Sequence, residues 1–183
     1  MLMTAEQQPT VTAIIEPRLD AAGTITWIAV LGAGLAAGFF VTYSISVMPG
    51  LARLDDAGFV ATMRAINDTV RTGWFLAFFA GTAPAAIAAA IAFRRHSARA
   101  ATLAALAAGI YVVGVLIVTF AGNVPLNEEL ATVRISSAAA AGAARDDFED
   151  QWNRLNLVRA LSSLVTFGVL AATLKASRTP DRP

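Results

Sequence analysis

From Ala21 to Ala52 the chain runs for 32 positions without a charged side chain, and nothing else in the sequence limits the fold as strongly. As a helix such a run measures about 48 Å, against a bilayer hydrocarbon core of ~30 Å. Two further uncharged runs follow, Thr72 to Phe93 over 22 residues and Ala100 to Asn127 over 28. A fourth is shorter, because only 15 residues separate Arg159 from Lys175. Fifteen residues give about 22 Å of helix, so this span must start near Leu155 and carry Arg159 one to two turns inside it. Lipid offers no partner to backbone N–H and C=O groups, so four such runs predict four membrane helices. A mean hydropathy of +0.60 with 15% charged residues fits that class. The expected domain covers residues 23–175, with spans at about 24–48, 73–93, 100–121 and 155–174. It lies between a mobile N-terminal tail, residues 1–22, and a short C-terminal one, 176–183.

The segments between the spans are of a different kind. After Asp55-Asp56, the residues Phe59, Met63, Ile66 and Val70 recur at helical spacing, with Arg64, Asn67, Asp68 and Arg71 at the other positions. This predicts an amphipathic helix, too charged to cross, lying over the mouth of the bundle. Pro49-Gly50 is expected to end the first span, Gly81 to Pro84 to kink the second, and Pro125 to end one helix and start the next. Residues 136–144 are nearly all Ala, Ser and Gly, compatible with helix or loop. An acidic run, Asp146, Asp147, Glu149 and Asp150, leads into the last span. The fold class is therefore an all-α membrane protein: a four-helix bundle with an amphipathic helix between spans one and two and a helical cap between spans three and four. Gly34 and Gly38 form a GxxxG pattern that permits close packing with another helix.

Several functions are excluded by composition. A net charge of +1, with 14 basic residues scattered along the chain, argues against nucleic acid. There is no cysteine, and His96 is the only histidine, so thiolate clusters and multi-histidine metal or haem ligation have no donors. No cofactor and no metal is expected. Four spans put both termini on the side of the Arg94–Arg99 turn. Seven Lys and Arg then fall on each side, but the three arginines crowded into that turn favour cytoplasmic termini in a bacterial cell membrane.

One polar stripe stands out. At about 100° per residue, Trp152, Asn156, Arg159, Ser163 and Thr166 lie within about 40° of a single line along the last span. Arginine at membrane depth is costly and usually faces the bundle interior. Its alternative is to snorkel to the headgroups, with Trp152 as interfacial anchor. The Asn123/Asn127 pair, the hydroxyls of Tyr43 and Ser44, and Trp74 at the start of the second span all fall on the same membrane face. Together these groups would suit a flat lipophilic molecule bearing a carbonyl or phenol oxygen. Arginine and amides could stabilise a developing oxyanion, and Glu128 or Asp150 could take the proton. The alternative use of the same residues is to cap helices and tie them together.

Met48-Pro49-Gly50-Leu51, then Met63, Ile66 and Asn67, then Asn123-Val124-Pro125-Leu126-Asn127, then Trp152, Asn156, Val158 and Arg159 together resemble the DUF1772, or anthrone oxygenase-like, family of small integral membrane proteins. The resemblance spans residues 24 to 175. It implies a four-helix membrane bundle and, for the few members with an assigned activity, oxidation of anthrones to anthraquinones by O2 without metal or flavin. On that reading Asn123, Asn127, Asn156 and Arg159 form the catalytic set, and Trp152, Tyr43, Ser44 and Trp74 bind the substrate. Members often carry a histidine after the stripe asparagine, where this chain has Leu157, and a proline before the aromatic pair, where it has Gly73. The competing expectation is a non-catalytic membrane protein that binds a lipophile or serves as a partner subunit, homo-oligomerisation included. A transporter fits less well, because no acidic residue lies at mid-membrane.

Overall fold

The computed structural model describes residues 21–70 and 73–177. The N-terminal tail through residue 20 and the side chain of Trp74 lie outside the described residues. Five helices make up nearly all the rest: α1 (Ala21–Leu51), α2 (Asp56–Val70), α3 (Gly73–Phe93), α4 (Ala98–Thr132) and α5 (Ala138–Ala176). No strand occurs among the described residues. Helices α1, α3, α4 and α5 are long and apolar enough to cross a membrane, and the chain is a four-span integral membrane protein.

The four spans form one bundle whose interior changes along its axis. Near the termini, Ala22, Phe93, Ala100 and Ala176 meet. The next layer is again mostly alanine, with Ala29, Ala33, Ala86 and Ala107 around Leu170. Beyond it come Phe40, Phe79, Tyr111 and Val115, and at the far end Tyr43, Phe59, Phe148 and Trp152. Small side chains let helices close on one another, whereas large rings hold them apart. The closest approaches lie outside the GxxxG pair. A Cβ on Gly32 would collide with the Thr82 hydroxyl, and one on Gly114 with Ser162. Gly34 meets only the Phe167 ring at 3.3 Å, and Gly38 faces open space.

Two prolines expected to end helices do not. Tyr43–Val47 and Thr119–Asn123 are wound as π-turns, in which Met48 N–H reaches the Tyr43 carbonyl and Val124 N–H that of Thr119. Pro49 and Pro125 follow directly. A proline ring normally clashes with the carbonyl four residues back; here those carbonyls, on Ile45 and Ala121, lie inside the widened turns. Helix α1 therefore continues to Leu51 and α4 to Thr132. A third π-turn, Val112–Ile117, lies deeper in α4.

Helix α5 has 39 residues, about 58 Å, so its first half stands clear of a bilayer. From Ala138 onward the small-residue stretch is helical, as is the acidic run, and Ser137 caps the start with its Oγ accepting from Ala140 N at 3.2 Å. Helix α2 lies across this extension and buries Phe59, Val60 and Met63 against it. Arg145 fastens the α1–α2 connection. It donates to the carbonyls of Ala52 (3.3 Å) and Leu54 (3.2 Å), pairs with Asp56 (3.1 Å) and Glu149 (2.6 Å), and lies 4.7 Å from the Phe59 ring centroid. On the other side of α2, Arg64 donates to the carbonyls of Leu130 and Val133 at the end of α4.

Candidate functional site

The π-turns of α1 and α4 face the polar stripe of α5, and a cavity of about 240 Å³ lies among them. Its size is just under the ~300 Å³ at which ligand pockets usually begin. Helix α1 contributes Phe39, Phe40 and Tyr43, α3 contributes Phe75 and Phe79, and α4 contributes Thr119, Asn123 and Asn127. Trp152 and Arg159 of α5 complete the wall, with Asn67 of α2 and Glu128 toward the cap end. The rings form a continuous surface: Phe75 stacks on Phe79 at 5.1 Å, and Phe39 lies 4.8 Å from Phe75 and 5.0 Å from Tyr43.

Arg159 is the centre of this site. Only 5% exposed, it faces inward and does not snorkel. Its guanidinium carbon lies 4.5 Å from the Phe40 ring centroid and 5.3 Å from that of Trp152, distances at which the ring quadrupoles attract a cation. Nη2 donates to Asn156 Oδ1 at 3.0 Å and Nη1 to Thr119 Oγ1 at 3.4 Å. Nε has no partner. No carboxylate among the described residues pairs with Arg159, in contrast to Arg145 and Arg154. A buried cation held by rings and neutral oxygens, with one donor unused, has the chemistry that an oxyanion or a strongly polarised carbonyl would require.

The remaining amides divide into two groups. Asn123 is 1% exposed; its Nδ2 donates to the Trp152 carbonyl at 3.3 Å, and its Oδ1 is buried without a partner. Asn127 Oδ1 accepts from the Trp152 indole at 3.0 Å, fixing the ring that covers Arg159. Asn156, by contrast, lies behind the cavity with both ends engaged. Its Nδ2 donates to the Phe40 carbonyl and to Ser44 Oγ, each at 2.9 Å, and its Oδ1 holds Arg159. Ser44 likewise stands outside the wall.

Of the eight residues selected from the sequence, Tyr43, Asn123, Asn127, Trp152 and Arg159 thus line one cavity, Asn156 and Ser44 support it, and the Trp74 side chain is outside the described residues. Asp150 is exposed and pairs with Arg154 at 3.7 Å, whereas Glu128 borders the cavity. Leu157 points away, 51% exposed, so a side chain at that position does not reach the cavity. Thr119 and the phenylalanine wall went unselected. Phe75, Phe78 and Phe79 at i, i+3 and i+4 carry a helical signal, but nothing in it separates a ligand wall from ordinary packing. Among the described residues no three His, Cys, Asp or Glu gather where they could hold a metal ion.

The profile of the anthrone oxygenase family matches residues 74–169, just over half of the chain. The matched stretch carries Asn123, Asn127, Trp152, Asn156 and Arg159, while α1 and α2 precede it. No curated protein and no solved structure matches the chain. With the matched stretch running from α3 through most of α5 and containing both polar motifs, the chain belongs to the anthrone oxygenase family.

Proposed function

We propose that this protein is a cofactor-independent oxygenase acting on an anthrone-like or other lipophilic phenolic substrate. The observation that carries the reading is Arg159: a buried guanidinium with no carboxylate partner among the described residues, 4.5 Å from the Phe40 ring centroid and 5.3 Å from that of Trp152, on the wall of an aromatic cavity and with its Nε unpartnered. In this reading a planar ketone lies against the Phe75 and Phe79 rings with its oxygen at Arg159. Loss of a C–H proton from the carbon conjugated to that carbonyl, toward Glu128 or water at the mouth, places the electron pair on oxygen as an enolate, which Arg159 stabilises. One electron then passes to O2, and the radical pair joins as a C–O bond. Protonation gives the hydroperoxide. Loss of the second C–H proton with cleavage of the O–O bond leaves a ketone and one water, so that one methylene group and one O2 become one carbonyl group and one water. Asn127 fixes Trp152 over the cation; Asn156, supported by Ser44, fixes the guanidinium itself.

The test is oxygen uptake and quinone formation by the purified protein with anthrone, corrected for spontaneous oxidation. Arg159→Gln is expected to lower kcat/KM by about 100-fold or more, the usual effect of removing an oxyanion donor. Glu128→Gln should lower it less, since water also reaches the mouth. Equal rates for wild type, Arg159→Gln and the protein-free control would overturn the reading. One observation favours a second one: among the described residues, the only carboxylate on the cavity wall is Glu128, at the exposed rim. Ligand-dependent quenching of Trp152 without oxygen uptake would assign the cavity to binding a lipophile.

For orientation we place the termini in the cytoplasm of a bacterial cell, on the strength of the crowded arginines Arg94, Arg95 and Arg99. A C-terminal fusion to a protein that fluoresces only in the cytoplasm should glow, and a fusion to a periplasmic phosphatase should stay silent. The reverse pattern would invert the assignment.

A further inference from the structure

A second, larger hollow lies at the opposite end of the bundle. It is an open groove of about 600 Å³ between the last turns of α3 and the first turns of α4. Ile87 and Ile91 form one bank and Val112 closes its deep end, while Ala101, Ala105 and Gly109 leave its floor low. No heavy atom lies within 4 Å of the position a Cβ would take on Gly109, so the chain itself does not fill this space. At the rim stands Arg94, which lines the groove and makes no ion pair among the described residues. Arg95, His96 and Arg99 of the same turn are exposed as well. From Ala101 to Val112 the floor runs about 16 Å along α4, the thickness of one leaflet, which is half of a ~30 Å hydrocarbon core.

We infer that this groove is a binding site for an anionic glycerophospholipid, with one acyl chain along the Ala101–Val112 floor and the phosphate on Arg94. The charge and the shape agree on that occupant. An apolar channel one leaflet deep ends at a guanidinium set at the headgroup level, beside two more arginines, and the sequence carries no acidic residue anywhere between Asp68 and Glu128. Arginine offers phosphate a bidentate contact. The small side chains of Ala101, Ala105 and Gly109 let the acyl chain sink below the neighbouring side chains, where it gains more contact than a lipid at the ordinary helix surface. This site is independent of the oxygenase reading, since no residue is shared with the aromatic cavity.

The experiment is native mass spectrometry of the full chain, released from detergent after equilibration with dioleoyl phosphatidylglycerol or dioleoyl phosphatidylcholine at equal concentration. The wild type should retain one phosphatidylglycerol at about 10-fold the occupancy of phosphatidylcholine. Arg94→Gln should bring the two to near parity. Gly109→Leu, whose Cβ meets no neighbouring atom within 4 Å, should reduce retention of both lipids several-fold. Arg95→Gln, outside the groove, should keep most of the preference. Equal retention of the two lipids by wild type would overturn the inference, as would identical effects of Arg94→Gln and Arg95→Gln, which would indicate a diffuse basic field. Dimers that Gly109→Leu dissociates would assign the groove to a second copy of the chain and overturn it too.

Discussion

Arg159 and Asn156 are three residues apart and joined by one hydrogen bond, yet their substitution should read out differently. A buried guanidinium loses its hydration, and replacing such a group by an apolar side chain of similar volume is often neutral or stabilising. Arg159→Met should abolish turnover or oxyanion binding and, because it leaves Asn156 Oδ1 without its donor, lower the Tm modestly, by less than Asn156→Leu does. Asn156→Leu instead strips partners from Ser44 Oγ, the Phe40 carbonyl and Arg159 together. Leaving buried polar groups unpaired costs about 1–3 kcal/mol each, so this variant should unfold at clearly lower temperature, as thermal denaturation in detergent can measure. A large loss of stability in Arg159→Met would instead make that residue a structural tie. Helical phase sets Arg159 on one line with Trp152, Asn156, Ser163 and Thr166 but leaves snorkelling open, and its burial decides for the interior. What phase could not give is the division of labour within the stripe. Asn156 reads as an oxyanion donor until its amide is seen bonded to Phe40, 116 residues away in sequence, and the free Oδ1 of Asn123 depends on the same kind of distant pairing.

The elements carry a similar lesson about prolines and extensions. Four spans and one amphipathic helix follow from charge-free runs and from the spacing of Phe59, Met63 and Ile66, and all five helices are present. The π-turns that carry Tyr43 and Thr119–Asn123 through Pro49 and Pro125 left no sequence mark beyond the prolines themselves, which ordinarily signal a break. Widened turns of this kind recur at functional sites, and here they aim Tyr43, Thr119 and Asn123 at α5. The cap depends on Arg145, whose phase on α5 is readable while its partners at Ala52, Leu54 and Asp56 are not. Arg145→Ala removes four polar contacts and the cation at the Phe59 ring from a partly buried setting. We expect a loss of about 1–3 kcal/mol and faster amide exchange confined to the Ala52–Val70 segment. Unchanged protection there would show that the buried apolar face of α2 holds the cap by itself.

Along the whole molecule, side-chain size rises from the alanine layers near the termini to the phenylalanine and tryptophan layers beside the cavity. Ala86, 0% exposed among Ala29, Ala33 and Ala107, has no space to take on. Ala86→Leu should cost about 1–3 kcal/mol by overpacking and lower the yield of folded protein. Phe75→Leu, on the cavity wall, should leave the fold intact and change which ring systems bind, as competition for Trp152 quenching would report. An equal loss of folded protein in both variants would show that the two ends are equally tight. An alanine has no side-chain rotamer to change, so the alanine layers answer a substitution chiefly by moving backbone, whereas a wall of rings can absorb one by turning. Substitutions can therefore reshape the cavity wall while the terminal layers still hold the helices together, the two properties being written in different layers of the same bundle.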